Sequence, residues 1–140
     1  MKHKTFCFVT LVLTCALLFA TFSPALASTN RASDYFSYTD VWATRLGNGK
    51  FAIEFDINST HTMQQLGATK IVIWEQQNDG TYDSVKTFSS GLMDTNTTSA
   101  YGIVTYQGTS GVKYYATAAL YAKNSSGSET LYSSTNIFTA

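Results

Sequence analysis

The chain has 140 residues, with nine Lys and Arg set against nine Asp and Glu. No basic stretch is dense enough to neutralise a phosphate backbone, which argues against nucleic acid as a partner. Both cysteines, Cys7 and Cys15, and the single proline, Pro24, fall within the first 27 residues, so the remainder has no disulfide available.

Those first 27 residues read as a secretory signal peptide. Lys2, His3 and Lys4 make a positive start, and Thr5 to Phe22 is an uncharged, mostly apolar run. Pro24 then breaks helix ahead of Ala25-Leu26-Ala27, a small-x-small signal that places cleavage between Ala27 and Ser28. The uncharged run is also long enough to stay as a membrane anchor, but an anchor has no need of Ala-x-Ala. Neither cysteine sits in a lipidation context, and neither a wall-sorting motif nor a C-terminal hydrophobic segment is present. The expectation is release into the medium, with no membrane association after cleavage.

Residues 28–140 carry seven Lys and Arg and nine Asp and Glu, a formal charge of −2. They hold 31 Ser and Thr and 16 aromatic residues, a mixture that favours strands with polar outer faces. In chain order the first strand spans Tyr38–Thr44 and ends at Gly47-Asn48-Gly49. Lys50–Asn58 follows with strict alternation: Phe51, Ile53, Phe55 and Ile57 to one side, Lys50, Ala52, Glu54 and Asp56 to the other. Thr62–Leu66 hints at a helical turn that Gly67 stops. The next strands are Thr69–Gln76 and Tyr82–Phe88, joined by Asn78-Asp79-Gly80, whose Asp-Gly suits a tight hairpin. Tyr101–Gln107, Lys113–Lys123 and Leu131–Thr139 complete a set of about seven. Such spacing predicts an all-β fold, an antiparallel immunoglobulin-like β-sandwich in a single domain over 28–140. A small partly open barrel is the alternative.

Within Lys113–Lys123, Tyr114, Ala116, Ala118, Leu120 and Ala122 share an apolar side that belongs against Phe51, Ile53 and Phe55. Tyr115, Thr117, Ala119, Tyr121 and Lys123 then face outward. If Ile71 and Ile73 face the core, Trp74 emerges beside Val72, next to the strand bearing Tyr115. Trp74, Tyr115 and Tyr121 would then form an exposed aromatic strip, its two tyrosines about 20 Å apart along their strand. Such a strip suits an extracellular saccharide or protein, because Tyr and Trp give large contact area at low entropic cost. Two competing readings turn Trp74 inward as a core residue, or leave the outer rings only to brace neighbouring strands.

"GVKYYATAALYAKNSSGSETLYSSTNIFT" resembles the last two strands of the fibronectin type III and wider immunoglobulin-like superfamily. Tyr114 approximates that family's tyrosine-corner position, although the usual Leu and Pro ahead of it are missing. "FAIEFDINSTHTMQQLGATKIVIWEQQ" and "KYYATAALYAKNSSGSETLY" resemble a group of short secreted proteins of Gram-positive bacteria of unknown function. That second likeness implies an extracellular location and no chemistry.

No catalytic constellation is evident. Residues 28–140 have no Cys, and their only histidine, His61, lies in a polar link. Glu54 and Asp56 sit on a solvated face where a carboxylate keeps its ordinary pKa, and Glu75 is the third carboxylate that could join them. Zinc lacks its clustered Cys and His. Asn78–Asp83 looks like half a calcium loop but has Lys86 where the closing Glu would fall. No metal or cofactor is expected; a Lys–Asn isopeptide would need Lys50 or Lys70 beside Asn136 and a buried acid. The function expected is an exported, non-catalytic binding or interaction module. An exported structural protein that self-assembles through the uncharged edge Leu131–Thr139 is the alternative, and a small hydrolase has nothing to support it.

Overall fold

Period-two alternation governs the structure. In the computed structural model, which describes residues 33–140, Phe51, Ile53, Phe55 and Ile57 are each 1% exposed or less, as one side of a strand. The segment expected to be a signal peptide, with its Ala27–Ser28 step, lies outside the described residues. Nine strands follow in chain order: β1 (Phe36–Gly47), β2 (Lys50–Met63), β3 (Gln65–Gln76), β4 (Tyr82–Phe88), β5 (Met93–Asp94), β6 (Thr97–Gln107), β7 (Lys113–Asn124), β8 (Gly127–Ser134) and β9 (Phe138–Thr139). One antiparallel sheet has the order β1-β2-β6. The other has the order β4-β3-β7-β8, with β5 added on β3 and β9 on β7. The fold is an all-β antiparallel sandwich, as expected; β1, β2, β3, β6 and β7 are predicted strands extended at their ends, and β4 keeps its predicted bounds.

The two predicted turns form where glycine and asparagine allow them. Gly47, Asn48 and Gly49 all have positive φ at the β1–β2 hairpin, and Gly80 does the same between β3 and β4. The helical turn expected over Thr62–Leu66 is absent. β2 runs on to Met63 and β3 starts at Gln65, because Met63 and Leu66 are both fully buried at this crossing. Gly67 does not stop a helix; it lets the Leu92 backbone pass so closely that a Cβ would lie 2.1 Å from the Leu92 carbonyl oxygen. Leu131–Thr139 is also not one strand. Thr135 crosses between β8 and β9, its N–H donating to the Ala116 carbonyl and its hydroxyl accepting the Ala116 N–H, both at 3.0 Å.

The core lies between the sheets, and the predicted faces of β7 hold. Tyr114, Ala116, Ala118, Leu120 and Ala122 are each 1% exposed or less. The three alanines leave room for the large rings of the core, and Phe51 packs on Tyr106, Tyr114 and Phe138. Gly102, in register with Phe55, leaves the space that the Phe55 ring fills. Two outward alanines, Ala52 and Ala119, are nevertheless covered. Each methyl sits between longer neighbours in register: Thr44 and Thr105 flank Ala52, and Lys70 and Tyr132 flank Ala119.

Tyr114 carries the polar link of the core. Its hydroxyl donates to Glu75 Oε2 at 2.5 Å and accepts the Thr109 N–H at 2.9 Å, tying the start of β7 to the loop before it. That return to the upstream backbone is the contact a tyrosine corner makes. Burial, and then the bond to Glu75, push the Tyr114 phenol above its ordinary pKa.

Candidate functional site

With Ile71 and Ile73 fully buried, alternation along β3 sends Trp74 to the outer face of the four-strand array. The inward alternative is therefore excluded. The indole is half-buried, stacked on Tyr115 with ring centres 5.8 Å apart and planes 5° from parallel. Its Nε1–H donates to Thr117 Oγ1 at 3.0 Å. Tyr82 of β4 sets its edge against the other side of Tyr115, at 5.0 Å and 70°. These three rings brace β4, β3 and β7 together.

Tyr121 shares their face but not their company. It lies in register with Gly67 and Thr130, beyond Thr117 and Ala119, so the strip of Trp74, Tyr115 and Tyr121 is broken in the middle. The ring nearest the gap comes from β8. Tyr132, in register with Ala119, is 76% exposed. Between it and Trp74 runs a shallow groove of about 380 Å³, with Lys70, Val72 and Trp74 on one side, Tyr132 and Ser134 on the other, and Thr117 at its base. Alternation within one strand does not single out Tyr132; the register set by the β7–β8 turn does. Pairing Asn124 with Gly127 places Tyr132 opposite Ala119 at once.

A second aromatic surface covers the β1-β2-β6 sheet. Trp42 and Tyr101 approach to 6.4 Å, and between their strands Glu54 accepts hydrogen bonds from Tyr101 Oη (2.5 Å) and Thr44 Oγ1 (2.7 Å). These two hydroxyls, Tyr101 first, hold the Glu54 carboxyl below its usual range, not at it as its solvated position predicts. Tyr101 is pushed up in turn by the same bond. Tyr38, on the same face, is raised by desolvation and then by the charges of Asp40 and Asp56. A carboxylate kept ionised between two hydroxyls is an acceptor, the opposite of a general acid.

The other candidates separate. Glu75 bonds Tyr114 in the opposite sheet from Glu54 and Asp56, so the three carboxylates do not converge. His61 is exposed, with Nδ1 3.0 Å from its neighbour Thr60 Oγ1. Asp79 Oδ1 accepts from the N–H and the hydroxyl of Thr81, which closes the hairpin turn. Among the described residues no three His, Cys, Asp or Glu side chains group as a metal site. Asn136 lines a separate hollow of about 330 Å³ with Asp40, Trp42 and Phe138, away from the Lys70 groove.

No family model matches the chain, and no curated protein is detectably similar to it. Among solved structures it is similar to a late embryogenesis abundant (LEA) protein candidate known in solution, at 12% identity and a TM-score of 0.46, over 99% of this chain and 86% of that one. It is also similar to a hypothetical protein from Pyrococcus horikoshii OT3, at 12% identity and a TM-score of 0.40, over 71% of this chain and 87% of that one. Likeness at this level carries no argument about function.

Proposed function

We propose that the chain is an exported, non-catalytic binding module of immunoglobulin-like type, and that a saccharide is its ligand in the Trp74–Tyr132 groove. Tyr132 is the observation that carries this reading. A ring that braced a neighbouring strand would be covered by it, yet this one is 76% exposed at the mouth of a groove. A space of about 380 Å³ accommodates one or two sugar rings. Trp74 and Tyr132 offer apolar ring faces, and Thr117, Ser134 and Lys70 offer hydroxyls and an ammonium, which favours a sugar bearing an acidic group. Export rests on the Lys2-to-Ala27 segment. The immunoglobulin-like assignment rests on the strand order β1-β2-β6 against β4-β3-β7-β8 and on the Tyr114–Thr109 bond.

Screening an array of neutral and acidic oligosaccharides, then titrating a hit by calorimetry, tests the proposal. Tyr132→Ala is expected to weaken binding by about tenfold or more, which is ~1.4 kcal/mol, with an unchanged melting temperature. Unchanged affinity in Tyr132→Ala, or no bound sugar on the array, overturns it. A second reading, assembly with copies of itself, is favoured by one feature: β8 ends its sheet, and Leu131–Thr139 carries no charge.

A further inference from the structure

The net charge conceals a division between the two faces. The strand registers place Asp40, Glu54 and Asp56 on the outer side of the β1-β2-β6 sheet, together with Tyr38, Trp42 and Tyr101. Asp40 stands directly opposite Asp56, and like charges facing each other across strands destabilise a sheet. Among the described residues the one base that the registers place on that side is Lys50, at the hairpin end of β2 and about 13 Å along the strand from Glu54. The outer side of the other sheet carries the reverse. Lys70, Lys113, Lys123 and Tyr132 are exposed there beside the half-buried Trp74 and Tyr115, and no carboxylate shares their side of β3, β7 or β8.

We infer that these surfaces are made for each other: the acidic face of one molecule docks on the basic face of a second copy. The sheets are different, so the contact is heterologous. Each docked copy still presents a free face of either kind, and association builds open stacks instead of closing at a dimer. The size of the smaller face sets the strength. Three strands at ~4.8 Å spacing and about seven residues of length give roughly 340 Å² per copy, below the ~1,000 Å² total of a stable interface once both sides are counted. Stacking is therefore weak, and it depends on concentration and on low ionic strength. It also covers the Trp74–Tyr132 groove, so a sugar held there competes with it. The inference does not rest on the saccharide reading, because charge and register alone carry it.

Sedimentation velocity over a concentration series, at about 20 mM and about 300 mM salt, tests it. The wild type is expected to shift progressively to faster species in low salt and to sediment as a monomer in high salt. Asp40→Lys/Asp56→Lys and Lys70→Glu/Lys123→Glu should each stay monomeric alone, with melting curves confirming that both fold. Mixed in equal amounts they should associate again, since the reversed faces complement each other. A wild type that is monomeric at the highest concentration in low salt overturns the inference. So does association that stops at two copies, persists in high salt, or ignores the Lys70/Lys123 reversal.

Discussion

Ala118→Asp is expected to unfold the protein, whereas Thr117→Asp, one residue earlier, leaves it folded. Ala118 is 1% exposed and lies in register with Ile71 on one side and Ser133 on the other. A carboxylate placed there has no cationic partner and must either ionise in an apolar core or fold protonated. Either route costs upwards of ~4 kcal/mol, a large share of the ~5–15 kcal/mol that holds a domain together. Thr117 points to the outer face at intermediate exposure. An aspartate at that position still accepts the Trp74 Nε1–H, and the cost stays within about 1 kcal/mol. Thermal melts followed by circular dichroism separate the two outcomes.

Tyr114→Phe is the second large effect. The ring stays and the core volume is kept, but Glu75 and the Thr109 N–H both lose their partner. One of the two lost bonds goes to a charged group, so the expected loss is ~2–3 kcal/mol, or roughly 10 °C or more in Tm for a domain this small. The variant also has a pH signature. The phenol is raised above its ordinary value in the folded state, by burial first and by Glu75 second. Its contribution is therefore fully present below about pH 10, the unfolded value, and fades as pH climbs through the higher folded value. The wild type should lose stability along that alkaline limb. In Tyr114→Phe the limb is flatter and starts from a lower plateau, and denaturant midpoints measured from pH 8 to 11 show the difference.

The core was legible in the sequence because the side-chain period of a strand is two and the apolar residues obey it. Phe51 to Ile57 and Tyr114 to Ala122 named their own inner faces, and Ile71 with Ile73 fixed where Trp74 emerges. Local pattern failed where the chain crosses between elements. Thr62–Leu66 looked helical because the demand that Met63 and Leu66 both be buried comes from the opposite sheet, not from neighbours in sequence. Thr135 was read into a strand because its hydrogen bonds go to Ala116, nineteen positions upstream. The site was half legible. Trp74 and Tyr115 follow from alternation within their strands, but Tyr132 and the isolation of Tyr121 follow only from register between strands. On the other sheet, Trp42 and Tyr101 meet across Glu54 through a β1-β2-β6 pairing whose third member arrives some forty residues later. Acidic and basic faces likewise exist only once registers are fixed; along the sequence the charges interleave.

The account stands on aromatic rings lying outside a dry interior, and acrylamide quenching of single-tryptophan proteins tests that directly. Trp42→Phe leaves Trp74 as the sole emitter, and Trp74→Phe leaves Trp42. Both indoles are of intermediate exposure, so each should be quenched readily, with emission shifted to the red of a buried indole. Blue-shifted emission with negligible quenching from both would place the rings inside and remove the binding groove and the stacking faces together.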